Sequence, residues 1–402
     1  MNKSGKEKFL YRRSKNSQVK IQRGLNQENF LTNIALKSIF LKNFHQLHNA
    51  KFVPFAGYEM PINYKNGIIN EHLRVRNQAG IFDVSHMGQI LIPLTQDNIK
   101  SLEKFIPLNI NNISSNKCHY SFILNSNGGI LDDIMLSKIT YIKNEYIYIV
   151  YNSSRKSVLE EIFKKTVRNY EIIENRCLIA IQGPESFASL KEILNLSQNM
   201  NFLNIYVIQY NVSDIIISRS GYTGEDGFEL SIINKHAEEF LTKLLQKNII
   251  LCGLGCRDSL RVEAGLSLYG NEINENISPI QAGLSWAIDK TRLIDNSLNC
   301  SSILTEQLNS PKSIKKIGLI PVNKTMLRAN MPLCNEAKKE IGYITSGCYS
   351  PILKCSIGIG YINKISNMSE VIFVKVRDKF EELKIEKIPF IKKNYKKGDV
   401  ND

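Results

Sequence analysis

Apolar and polar positions change period often along this chain, and few stretches keep one rhythm for more than a dozen residues. Helical spacing marks Glu71 to Gln78, with Gly80 placed to close it, and recurs in Ser157 to Thr166, His236 to Gln246 and Arg257 to Ala264. Short apolar runs predict strands at Ile90 to Pro93, Ile147 to Tyr151 and Cys177 to Ile181. Tyr120 to Leu124 and Ile130 to Leu136 flank Asn-Ser-Asn-Gly-Gly (Asn125 to Gly129) and read as a hairpin. Ile215 to Arg219 and Phe228 to Ile232 are strands around a glycine loop, whereas Phe55 to Pro61 reads as a turn-rich loop. The polar stretch Asn299 to Lys315 looks like a boundary. Beyond it lie short strands at Ile317 to Val322, Glu340 to Thr345, Ser356 to Ile362 and Val371 to Val376. The irregular mixture with hairpins predicts an α+β fold, not a doubly wound sheet, followed by a small all-β domain.

Length agrees, since 402 residues suit two or three packed subdomains. No run of eighteen apolar residues offers a membrane-spanning helix. Eight cysteines without a CxxC pair argue against a disulfide framework or a structural zinc site, so no metal is expected. The net charge of +14 is uneven: residues 1–33 carry +6, with Arg12, Arg13, Lys20 and Arg23 interleaved with Phe9, Tyr11 and Ile21. That composition, lacking a long apolar core, fits a mitochondrial targeting segment better than a secretory signal, the alternative being a plain basic arm. A second basic cluster, Lys387 to Lys397, carries no recognisable nucleic-acid motif and can steer an acidic partner.

The chain carries no Walker A, no HExxH, no G-x-S-x-G and no complete dinucleotide fingerprint. Three glycine-rich segments remain. In Asn127-Gly-Gly-Ile-Leu-Asp-Asp133 the adjacent carboxylates point to opposite faces of a strand, so one can enter a pocket while the other meets solvent or caps a backbone amide. Arg219 to Glu229 combines three glycines that permit close backbone approach with a flat ring at Tyr222 and an acceptor at Glu229. In Gly253 to Gly265, Asp258 and Arg261 lie one helical turn apart, a spacing that suits a simple ion pair.

Taken in order, these segments resemble the aminomethyltransferase, or T-protein, family of the glycine cleavage system. The resemblance runs from about Lys37 to Tyr395. It is carried by Phe55-Ala-Gly-Tyr-Glu-Met-Pro61, Ile81-Phe-Asp-Val-Ser-His-Met-Gly88, Gly128-Gly-Ile-Leu-Asp-Asp133, Gly221-Tyr-Thr-Gly-Glu-Asp-Gly-Phe-Glu229, Arg257-Asp-Ser-Leu-Arg261 with Leu268-Tyr-Gly270, and Thr345-Ser-Gly-Cys-Tyr-Ser-Pro351. It implies a three-domain, clover-like fold in which residues 34–300 form two α+β subdomains around tetrahydrofolate and residues 310–397 a β-barrel. It also implies a reaction. Lipoylated H-protein delivers an aminomethyl group, the carbon passes to tetrahydrofolate, and ammonia and methylenetetrahydrofolate leave in the mitochondrial matrix.

Matched residue by residue, the resemblance makes Asp133 the catalytic carboxylate, able to orient an amine, manage its proton and stabilise a transient cation. Glu229 and Arg257 would face the pterin, Tyr120 and Tyr222 would pack on the folate, and Asn152 would line the pocket. Met87 and Trp286 fall near the channel or pack as ordinary core residues. Departures from the family pattern include Ser137, where some members carry an aromatic ring, and Lys392 and Lys393, where some carry Arg, which alone forms a bidentate fork. Folate-binding iron–sulfur assembly factors share the fold, but their Lys-Gly-Cys-Tyr-x-Gly-Gln-Glu motif is absent, since Ser346 precedes and Ser-Pro follows Gly347-Cys-Tyr349. A folate-binding relative without activity is the other alternative.

Overall fold

A computed structural model describes residues 35–196, 200–310, 314–363 and 371–396. The expected targeting segment, residues 1–33, and Lys397 lie outside the described residues.

Two antiparallel sheets carry the first two thirds of the chain. In the five-stranded sheet the order is Cys118–Leu124, Ile130–Tyr141, Asn144–Tyr151, Gly88–Pro93 and Glu171–Ile172. In the six-stranded sheet it is Ile205–Tyr210, Ser213–Ser218, Gly227–Ile233, Arg176–Gln182, Gly80–Asp83 and Ile250–Leu251, the last pairing parallel. The motif from Ile81 to Gly88 therefore links the sheets, ending a strand of the six-stranded sheet and opening one of the five-stranded sheet.

Strand alternation decides what each sheet face meets. On Gly227–Ile233, Phe228, Leu230 and Ile232 enter one core with the helices Ser186–Leu194 and Asn234–Gln246, while Glu229 and Ser231 turn the other way. On Ile130–Tyr141, Ile134 and Leu136 join a second core with the helices Gln96–Leu102 and Lys156–Thr166, while Asp133, Met135 and Ser137 share the opposite face. The two remaining faces meet through Leu91, Cys118, Ile139, Tyr148, Ile205 and Ile216. A polar group on either face is therefore held between two sheets.

The last third is a closed barrel of six strands, Ile314–Pro321, Cys355–Asn363, Glu340–Ser350, Pro332–Cys334, Ile372–Val376 and Lys379–Glu386. Closure leaves no free sheet edge. Two of these strands, Pro332–Cys334 and Lys379–Glu386, escape a pattern reading because the first is very short and the second is mostly charged.

Two local expectations are corrected. Phe55 to Pro61 is no loop but the tip of a hairpin, Lys51–Phe55 with Tyr58–Asn63, turned by positive φ at Ala56 (48°) and Gly57 (83°). Gly80 does not cap a helix: the helix Gly67–Asn77 ends at Gln78, and Gly80 opens a strand. A Cβ there would meet Cys252 Sγ at 2.5 Å, so close packing and not a turn requires the glycine. The polar stretch from Asn299 contains a helix, Ser301–Asn309, anchored by the buried Leu304.

Candidate active site

Asp132 and Asp133 leave the hairpin turn whose geometry is set by Asn125, which accepts from the amides of Asn127 and Gly129 through its side-chain oxygen, both at 2.9 Å. Gly128 takes φ +77°, and a Cβ on Gly129 would fall 1.8 Å from the Glu275 carbonyl oxygen. The double glycine is thus demanded by one conformation and one contact.

Asp133 is half-buried and both of its oxygens are engaged. Tyr120 donates its hydroxyl to Oδ2 at 3.1 Å, and the Asn152 carboxamide donates to Oδ1 at 2.7 Å. Register explains the meeting: Ile134 pairs with Tyr151, so Asn152 comes opposite Asp133, while Tyr120 lies diagonally across the neighbouring strand. Burial raises the Asp133 carboxyl to about 6, partly offset by the bonds from Tyr120 and Asn152. The Tyr120 phenol is pushed well above its ordinary value by burial and then by the charge on Asp133, so it stays a donor.

Trp286, 69% exposed in a short 3₁₀ turn, stacks on Tyr120 with ring centroids 5.6 Å apart and planes at 23°. It is therefore a cover over Tyr120 and not a core residue. Met87 is partly buried and packs against the cluster of Val75, Phe82, Val84 and Cys256, as does Val150.

A cavity opens between the two sheets, lined by Cys118, Met135, Ser137 and Tyr148 from one and by Ser218, Ser220, Glu229 and Ser231 from the other. Ser220 donates to Glu229 Oε2 at 2.6 Å and stands 2.7 Å from Ser218 Oγ. This serine relay aims the carboxylate and carries no signal in the sequence, because serines are common next to glycines. Ser137, a departure from the family pattern, donates to Cys118 Sγ at 3.3 Å on the cavity wall.

Tyr222 and Arg257 stand outside this lining, and Arg257 borders a second, smaller cavity with Pro61, Tyr64 and Phe82. Tyr222 donates to the Ser267 carbonyl oxygen at 2.5 Å, and the Arg257 guanidinium lies 4.7 Å above the Tyr222 ring. Burial lowers the Arg257 pKa, while Glu229 and then Tyr222 oppose that change. Nη1 of Arg257 is buried and has no hydrogen-bond partner among the described residues. A buried guanidinium N–H left unpaired is costly unless a ligand acceptor meets it. A ligand carbonyl would satisfy that N–H, and Glu229 can accept from N–H groups.

The other acids of the motifs are occupied elsewhere. Glu225 accepts from Arg76 at 2.8 Å and Asp226 from Arg219 Nε at 3.0 Å. Asp83 accepts from His45 at 2.8 Å. Glu71, Cys252 and Cys256 bring metal-capable atoms within 4.8 Å of one another, but Glu71 already accepts from the amides of Tyr64 and Gly253.

Residues 41–292 match the GCVT N-terminal domain family, and residues 315–392 match the glycine cleavage T-protein C-terminal barrel domain family. The chain belongs to the glycine cleavage T-protein family. It is 35% identical to the mitochondrial aminomethyltransferase of Pisum sativum, covering 92% of each chain. It is also 36% identical to the aminomethyltransferase of Thermosipho melanesiensis, over 88% of this chain and 98% of the relative. The crystal structure of the glycine cleavage system aminomethyltransferase T from Bartonella henselae superposes with a TM-score of 0.83 at 32% identity, covering 90% of this chain and all of that one. As a T-protein, this chain brings Tyr120, Asp133 and Asn152 into direct contact and sets Arg257 over Tyr222, with Glu229 within electrostatic reach of Arg257.

Proposed function

We propose that this chain is the aminomethyltransferase of the glycine cleavage system, taking the aminomethyl group from the lipoyl arm of H-protein and releasing ammonia and methylenetetrahydrofolate. One observation carries the site assignment: Asp133 is held at both oxygens in a half-buried position, on the strand face that also supplies Met135 and Ser137 to the intersheet cavity. Glu229 and Arg257 would hold the pterin of tetrahydrofolate, with Tyr222 and Tyr120 against its faces. Tetrahydrofolate supplies the amine that accepts the carbon.

The chain's own residues do the rest. Tyr120 and Asn152 fix the Asp133 carboxylate, so no reorientation is needed when positive charge develops beside it. With its pKa near 6, Asp133 is largely ionised at neutral pH yet can hold a proton in transit. Burial between two sheets limits water, and bringing both substrates to one carboxylate supplies proximity.

We further assign this activity to the mitochondrial matrix, supported by the basic composition of residues 1–33 and by relatives named mitochondrial. The test is ammonia release from aminomethylated H-protein with tetrahydrofolate. Folate binding without ammonia release would reject the assignment.

A further inference from the structure

Asp132 is fully buried, although a carboxylate beside a catalytic one is the group least suited to burial without a task. Its two oxygens make two bonds to one residue. Oδ2 accepts from the Asn152 backbone amide at 2.9 Å, and Oδ1 accepts from the Asn152 side-chain amide nitrogen at 2.7 Å. That same nitrogen donates to Asp133 Oδ1 at 2.7 Å. An amide NH2 has two hydrogens in a fixed plane, so the bond to Asp132 uses one and directs the other at Asp133.

We propose that Asp132 is a positioning residue for the transfer reaction, clamping the Asn152 carboxamide so that Asn152 holds Oδ1 of Asp133. The proposal rests on the reading of Asp133 given above and adds a residue to it.

The surroundings support a clamp over a second acid. Besides Asp133, the charged group that acts on Asp132 is Arg155, whose Nε is taken by the Leu131 carbonyl at 2.7 Å and whose Nη2 is taken by Glu275 at 2.6 Å. Tyr151, next in chain to Asn152, is spent on Glu160 at 3.0 Å. Asn152 is thus the hydrogen-bonding partner through which Asp132 reaches the site. Asparagine at 152 is also specifically required: an aspartate side chain there would offer no hydrogen to either neighbour, and both carboxylates would lose their shared side-chain donor. Burial and the charge on Asp133 hold the Asp132 carboxyl well above its usual range. The geometry does not depend on this, because a protonated carboxyl still has lone pairs for both N–H groups.

The test is a double-mutant cycle on the full-length protein, read as kcat and KM for tetrahydrofolate with aminomethylated H-protein, beside the folate Kd. Asp132→Ala in the wild-type background is expected to lower kcat about 10- to 100-fold, the effect of a misplaced catalytic group, with folate Kd within about two-fold. In the Asn152→Ala background the same change is expected to cost less than about two-fold, since the clamp has nothing left to hold. Equal losses in both backgrounds, or none in either, overturn the proposal. If Asp132→Ala does not fold, Asp132→Asn replaces it. Its amide nitrogen must face an N–H donor, so kcat is expected to fall with Kd unchanged, and full activity in that folded variant overturns the proposal. An inactive wild-type protein would instead reject the underlying reading of the site.

Discussion

Nη1 of Arg261 lies 2.7 Å from Oε2 of Glu272, and both side chains are buried. The pair ties the helix Leu254–Glu263 to the barrel, because Arg261 also donates to Ser346 Oγ at 2.7 Å and Thr345 donates to Glu272 Oε1 at 2.6 Å. Asp258, the partner anticipated from helical spacing, takes only Nε, at 2.9 Å, and is half-exposed. The guanidinium thus works chiefly in the interface. The same helix carries Arg257 to the face of Tyr222, so the barrel contact and the proposed pterin site share one element.

Glu272→Ala should therefore destabilise the protein by about 3–5 kcal/mol, because it strands a buried guanidinium. Burial alone would raise the Glu272 pKa, but Arg261 and the hydrogen bonds from Ser346, Thr345 and the Leu268 amide outweigh it and the net shift is downward from 4.5. The stabilisation is accordingly complete above pH 4.5 in the wild type and is lost as pH falls through the lower, folded value. Denaturant melts of both proteins at neutral pH and near pH 3 test this: the gap should narrow in acid, and equal gaps would contradict it.

Asp133→Asn should lower kcat at least about 100-fold while folate still binds, since the amide keeps the shape and loses the charge. In the wild type, activity should fall as pH drops through about 6, where the raised carboxyl becomes protonated. A flat pH profile from 5 to 8, on the order of the range accessible to a histidine or raised carboxylate, would remove Asp133 from the proton-handling role.

Arg257→Ala and Glu229→Ala should each weaken tetrahydrofolate binding by about 1–3 kcal/mol, the cost of a stranded polar partner. Titration calorimetry gives the answer directly. Unchanged affinity in both variants would place the pterin elsewhere.

Gly129→Ala should cost about 1–3 kcal/mol by overpacking, because the new methyl would overlap the Glu275 carbonyl oxygen at 1.8 Å. A backbone oxygen cannot move aside as a side chain can. A melting temperature equal to that of the wild type would show that this turn has slack.

Association with H-protein should slow as salt rises, since +8 of the net charge lies outside residues 1–33 and surface charges are screened within about 10 Å at 0.1 M salt. Stopped-flow rates from low to high salt test it, and a constant rate would mean the basic surface does not steer the encounter.

Much of this protein is written in local pattern. The hairpin around Asn125 to Gly129 and the helices near Ser157 and His236 form where periodicity places them, because each needs only neighbours in sequence. The opposite facing of Asp132 and Asp133 follows from the pleat, and capping of a backbone amide by one of them was among the outcomes it allows. Family motifs single out Asp133, Glu229 and Arg257 for the same site.

Long-range contact decided the rest. Gly80 looked like a helix cap because a glycine after a helix usually is one, but its neighbour Cys252 is 172 positions away. Arg261 keeps the pair with Asp258 that helical spacing suggests, but the segment after the helix adds Glu272 and the barrel adds Ser346. Sequence alone determined which side chains were available and which face of each strand they would occupy, since both depend on residue type and a two-residue repeat. Only tertiary packing decided that Asn152 would stand between two aspartates, and that Arg257 would be left with an unpaired N–H. Such contacts depend on which strands become neighbours, and strand neighbours are chosen by burial of the whole core.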